Sequence, residues 1–177
     1  MSQNDILTLV FVLLSIVTMQ TIFIFYLSKM VKAIIDRMPS FKELRAGDKI
    51  PHFTSVNQHG ARINSKSILK EAKVTCFLFI DTNCSICRNI IVNLKRFVNK
   101  YNIKFVVLNE NKMINDTEII EELTENVIYI NDPLVFKNYS IKVVPQALLV
   151  ANDGIILKRN VIPDIEVLED MLHEYKS

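Results

Sequence analysis

The stretch that most constrains the fold is residues 74–101, where an apolar run passes through two closely spaced cysteines into a helical pattern. Val74-Thr-Cys-Phe-Leu-Phe-Ile80 is β-branched and aromatic, which predicts a strand buried on both faces. Beyond it, Cys87, Ile90, Ile91, Leu94, Phe97, Val98 and Tyr101 recur at steps of three and four, with Arg88, Asn93, Lys95, Arg96 and Lys100 off that stripe. This is one face of a helix. Cys84 is expected in its first turn, where free backbone N–H groups and the positive dipole end favour a thiolate. Cys87, three residues on, comes round to the same side and can close a small disulfide with it. Strand, Cys-x-x-Cys and helix in that order is the arrangement dithiol redox chemistry needs.

Other chemistries are disfavoured by what accompanies this stretch. The net charge of the 177 residues is +2, with acids and bases interspersed, so no nucleic-acid surface is expected. Three cysteines, Cys76, Cys84 and Cys87, are too few for a disulfide-stapled scaffold. One Cys-x-x-Cys without a second pair makes a poor zinc site, and His52, His59 and His173 show no ligand spacing. No metal and no cofactor are expected. Cys76, in mid-strand, reads as an inert buried thiol.

The chain divides by composition. From Ile6 to Ser28 no residue is charged, although Thr8, Ser15, Thr18, Gln20 and Thr21 are polar. As a helix this stretch spans about 34 Å, enough for a bilayer core. No Lys or Arg precedes it and no small-x-small site follows, so residues 1–28 are expected to be an uncleaved membrane anchor. A stripe of Met30, Val31, Ile34, Ile35 and Met38 continues the helix into the headgroup region until Pro39, and a polar linker runs to Asp48. Residues 29–48 thus form a juxtamembrane helix and linker, and residues 49–177 a folded domain.

Within that domain, the segments 53–56 and 61–64 flank Asn57-Gln-His-Gly60 as a hairpin, and 65–71 is a short helix. A second buried strand covers 103–108. Asn115 or Asp116 caps a helix through Thr124, and a strand follows over 127–130. Asp132-Pro133 opens a short helix to Tyr139. The segments 147–151 and 155–158 make a hairpin around Asn152-Asp-Gly154, and 164–175 is the closing helix. Parallel units ending in a hairpin and a helix describe a small mixed α/β sheet covered on both faces.

The segment Tyr139-Ser-Ile-Lys-Val-Val-Pro-Gln146 lies directly before a strand. A lone proline there would only mark a strand's edge. Beside a Cys-x-x-Cys, Tyr139, Ile141 and Pro145 make the chain resemble the thioredoxin superfamily, with Ser140 where glycine is usual. Ala46-Gly-Asp-Lys-Ile-Pro-His-Phe53 is similar to the opening of its membrane-anchored bacterial branch, the methylamine-utilisation and cytochrome-c-maturation types. The resemblance implies a thioredoxin-like mixed sheet flanked by helices, preceded by one N-terminal transmembrane helix. It implies a cis Pro145 that exposes the Val144 backbone for strand-like pairing with substrate. It also implies thiol–disulfide exchange in which Cys84 forms a mixed disulfide and Cys87 resolves it. The partners it implies are a protein substrate bearing thiols or a disulfide, a membrane electron-transfer partner and the lipid bilayer.

Several residues depart from that pattern. Asn83 rather than Trp precedes Cys84, Ser85-Ile86 separates the cysteines, and Leu78 stands where many thioredoxins carry a buried acid. Arg88 is expected to favour the thiolate and Asp81 to oppose it. A peroxidase of the peroxiredoxin type would need a Pro-x-x-x-Thr/Ser-x-x-Cys site, and a copper chaperone a Cys-x-x-x-Cys with a matching His; neither is present. The rival of another class is a non-catalytic binding module of a membrane complex. Lys29, Lys32, Arg37, Lys42 and Arg45 follow the anchor closely, which alone would hold the domain in the cytoplasm. The resembling families work outside it, where substrate disulfides persist, and the extracytoplasmic side is expected.

Overall fold

The computed structural model describes residues 3–37, 43–110, 116–124 and 126–175. The chain separates into two units, Met1–Ser40 and Phe41–Ser177. The first is one helix, α1 (Gln3–Arg37), so the apolar stretch and the stripe beyond it are continuous. Met38 and Pro39, where the helix was expected to stop, lie outside the described residues. The segment Phe11–Lys32 is long and apolar enough to cross a membrane. Three of its hydroxyls bond back along the helix: Ser15 donates to the Val12 carbonyl at 2.8 Å, Thr18 to Ser15 at 2.9 Å and Thr21 to Val17 at 2.8 Å. Back-bonding of this kind lets polar side chains sit in an apolar helix without unpaired donors. Near the end of the segment the Lys29 ammonium lies 5.2 Å from the Phe25 ring centre.

The second unit is built on β3 (Val74–Ile80), whose residues from Thr75 onward are fully buried. Alternating side chains serve two cores. Cys76, Leu78 and Ile80 face α3 (Ser85–Lys100) and α6 (Ile165–His173), in company with Ile91, Leu94, Phe97, Leu168 and Leu172. Phe77 and Phe79 face the other way, onto Ile68 and Leu69 of α2 (Ser65–Lys70) and Val135 and Phe136 of α5 (Pro133–Asn138). Burial of each such side chain contributes about 1.5–3 kcal/mol.

Around β3 the sheet runs in the order β5–β4–β3–β6–β7. The strands β4 (Lys104–Asn109) and β5 (Val127–Asn131) are parallel to β3, and β6 (Gln146–Ala151) and β7 (Ile156–Val161) continue it antiparallel. A separate hairpin, β1 (Thr54–Val56) with β2 (Arg62–Asn64), closes on Asn57, whose side chain accepts from His59 and Ala61 N–H. This hairpin seals the β5 edge. Asn57 bridges Ile130, and the Gln58 amide donates to the Val127 carbonyl at 2.9 Å while accepting from the Tyr129 N–H at 2.8 Å. At the other edge, residues 47–50 pair with 154–156, through Gly47 N–H to the Ile156 carbonyl and Ile156 N–H to Asp48.

One expected cap acts differently. Asp116 precedes α4 (Thr117–Glu122) but its carboxylate does not cap the helix; it accepts from the side-chain amides of Asn109 and Asn131. Asn115, the other candidate, lies outside the described residues. Asn109 also donates to the Tyr129 hydroxyl at 2.9 Å, so a polar network joins the ends of β4 and β5.

Ser140, just past α5, has φ 52° and is nearly buried. Its N–H bonds back to Lys137 and that of Ile141 to Phe136, which is how a helix ends on a left-handed residue. A side chain costs about 1–2 kcal/mol in that conformation, whereas glycine's extra chain entropy costs about 0.5–1 kcal/mol. Ser140→Gly is therefore expected to stabilise the protein by about 0.5–1 kcal/mol, read as a higher urea midpoint at unchanged slope.

Candidate active site

The strand β3 ends at Ile80 because the next residues turn on themselves. Asp81 Oδ1 accepts from the Asn83 N–H at 2.8 Å, and the Asp81 carbonyl accepts from the Cys84 N–H at 3.0 Å. Such an Asx turn delivers Cys84 to the start of α3. Cys84 lies one residue earlier than the first turn expected from periodicity: it is the N-cap, with extended backbone (φ −86°, ψ 118°). Its sulfur takes the place of a capping oxygen and accepts from the Cys87 N–H at 3.2 Å. A thiolate there would meet the unpaired donors and positive end of a sixteen-residue helix.

The two cysteines sit in unlike surroundings. Cys84 is partly exposed, whereas Cys87 is completely buried; both are thiols. Burial first, then its hydrogen bond with Cys84, pushes the Cys87 thiol up to about 12; the Asp81 backbone works in the opposite sense. Negative charge on Cys84 or on Asp81 raises it further. Cys76 is pushed up to about 12 by burial alone. It lies within β3 with no exposed surface.

Arg88 turns back onto the loop, its Nε donating to the Thr82 carbonyl at 3.0 Å. The Thr82 hydroxyl beside it is buried and finds no hydrogen-bond partner among the described residues. Leu78 is wholly buried in the core under α3. Among the described residues there is no cluster of three or more His, Cys, Asp or Glu side chains able to hold a metal ion.

Pairing of β3 with β6 brings the second segment to the same place. Phe79 is opposite Gln146 and Leu78 opposite Ala147, so the antiparallel register sets Pro145 beside the end of β3. The Val144–Pro145 peptide bond is cis. Val144 packs against both cores, and Cys84 against the one beneath α3. Behind this loop Tyr139 is buried among Phe53, Phe77 and Phe79, with its hydroxyl donating to the Pro51 carbonyl at 3.1 Å.

One residue of this region carries no local signal in the sequence. Arg159 on β7 reaches Leu44, Ser140 and Gln146. A positive residue in mid-strand whose neighbours are partly exposed reads as solvated, and only tertiary contacts reveal its bonds.

A five-stranded mixed sheet covered on both faces, with a dithiol at the end of its central strand, defines a thioredoxin-like fold of the kind found in thiol–disulfide oxidoreductases. The Redoxin family model matches residues 45–175, and the chain belongs to that family. Solved structures share the fold. The thioredoxin domain of a thiol-disulfide oxidoreductase from Bacteroides vulgatus is 19% identical at a TM-score of 0.64, over 76% of this chain and 99% of that one. A thiol:disulfide interchange protein, DsbE, from Chlorobium tepidum is 22% identical at 0.63, over 74% and 97%. A protein disulfide isomerase structure from Bacteroides thetaiotaomicron is 17% identical at 0.60, over 75% and 88%. No curated protein matches the sequence.

The thiol environments predict a pH dependence. A thiol whose folded value is raised from about 9 to about 12 contributes stability that is complete below 9 and lost as pH climbs through 12. The reduced protein, carrying both Cys76 and Cys87 as buried thiols, should lose stability over this range more steeply than the form with a Cys84–Cys87 disulfide, which retains only Cys76. Urea midpoints of the two forms between pH 8 and 10.5 check this, and parallel curves would contradict it. In the native reduced protein Cys84 should alkylate readily, while Cys76 reacts only after denaturation.

Proposed function

We propose that the chain is a membrane-tethered thiol–disulfide oxidoreductase that exchanges disulfides with protein substrates through Cys84 and Cys87. The observation that carries this reading is the asymmetry of the pair: an accessible sulfur capping α3, three residues from a buried one. In the reducing direction the Cys84 thiolate attacks a substrate disulfide. One substrate sulfur leaves as a thiolate and the other stays bonded to Cys84 as a mixed disulfide. Cys87 then gives up its proton and attacks the Cys84 sulfur. The second substrate thiolate leaves, and two electrons have passed from the dithiol to the substrate. An oxidised pair runs the same steps backwards, and the potential of the pair relative to its partners sets the direction.

Substrate binding is assigned to Val144 and Pro145, where an extended peptide would pair with the Val144 backbone. Asp81 and Arg88 act as modulators. Asp81 shapes the turn before Cys84, and its charge raises the Cys87 thiol while its backbone lowers it. Arg88 braces the same turn through Thr82. The anchor is α1, and a membrane electron-transfer partner would restore the pair after each cycle. The redox domain is assigned to the extracytoplasmic side, because an active pair needs partners whose disulfides persist. The basic residues after the anchor pull the other way. Protease treatment of intact cells decides the side: loss of the domain supports this placement, and full protection beside a digested control overturns it.

Cysteine trapping tests the chemistry. Cys87→Ala should accumulate mixed disulfides that migrate as higher bands on a non-reducing gel, because the resolving sulfur is gone. Cys84→Ala should give none, because the remaining sulfur is buried. Equal trapping by both variants would refute the roles. Absence of trapped partners together with no reduction of insulin by the wild type would favour a non-catalytic binding module.

A further inference from the structure

Arg159 stands in the edge strand β7 with a side chain only 9% exposed. Its guanidinium donates to three separate places: the Leu44 carbonyl at 2.8 Å, the Gln146 side-chain Oε1 at 3.2 Å and the Ser140 carbonyl at 3.4 Å. Glu43 provides its counter-charge at 3.6 Å. Ser140 and Gln146 are the two ends of the segment that carries Val143, Val144 and Pro145. Between those ends, Lys142 and Val143 are exposed. Ser140 is held in the left-handed region, and Gln146 is the first residue to pair with β3. One planar fork therefore grips both feet of the loop and ties them to the first turn of the folded unit at Leu44. A lysine, with a single charged nitrogen, cannot span three acceptors in this way.

We infer that Arg159 is a positioning residue for protein substrates: it holds the 140–146 loop in the conformation that presents the Val144 backbone beside Cys84. The inference rests on the exchange reading above and assigns Arg159 no part in the sulfur chemistry. A strand-like pairing depends on the placement of backbone donors and acceptors, and a displacement of about 1 Å is enough to weaken it severely. A small disulfide needs only the Cys84 sulfur. Removing Arg159 should therefore separate the two kinds of substrate.

The test uses the full chain in nanodiscs, with insulin as protein substrate and 2-hydroxyethyl disulfide as small substrate. In Arg159→Met, KM for insulin should rise roughly tenfold with kcat within about twofold of wild type. The rate with the small disulfide and the potential of the Cys84–Cys87 pair should stay unchanged. Arg159→Lys should fall between the two, and Gln146→Met, which removes one of the three bonds from the other side, should shift KM in the same direction. An unchanged insulin KM in the folded variants overturns the role. So does an equal loss with both substrates accompanied by a shifted potential, which marks general disruption. If Arg159→Met does not fold, Arg159→Lys and Gln146→Met decide by the same criteria. A wild type that reduces neither substrate overturns the exchange reading itself, and the positioning role with it.

Discussion

The register between β3 and β6 is the constraint on which the rest depends. The central strand is paired on both sides and buried on both faces, so it cannot slide without turning its whole apolar set out of register with two cores. Its end fixes where Cys84 begins a helix. Its antiparallel partner fixes where Pro145 enters the sheet. Two segments separated by some sixty residues of sequence are thereby brought to one rim without needing a direct bond between them.

At that rim, electrostatics are supplied by backbone rather than by a buried acid. Leu78 is buried in the core beneath α3, which stays apolar. What remains close to Cys87 is the turn at Asp81, whose charge raises the thiol while its backbone lowers it. The α3 N-terminus, capped by sulfur instead of oxygen, provides donors that only a thiolate uses fully. The polar network of Asn109, Asp116 and Tyr129 lies at the ends of the neighbouring strands.

Local periodicity made the strand, the cysteine pair and the helix legible, because burial on two faces and on one stripe leaves different repeats in the sequence. The segment ending at Pro145 was legible through its residue types, and Ser140 shows why glycine is usual there: the backbone is left-handed. Cys84 moved by one position, from first turn to cap, which is the scale on which helix ends resist periodicity. What stayed hidden is long-range. Gln58 finds its partners on β5 about seventy residues away, and Arg159 finds Leu44 across 115. Neither bond leaves a local pattern. The failed cap at Asp116 is tertiary as well, since amides at the ends of β4 and β5 take its carboxylate from the helix.

The side-chain seal at Gln58 has a consequence for crowding. A chain tethered to a bilayer, as proposed above, would diffuse in two dimensions, where copies meet far more often than at the same number in bulk solution. An open strand edge under those conditions would recruit the next copy's edge and grow into a ladder. Gln58 occupies the outer donor and acceptor of β5 with one amide, so a neighbouring copy finds that stretch of edge already paired. A single uncharged side chain thus closes that stretch of edge to strand pairing from outside.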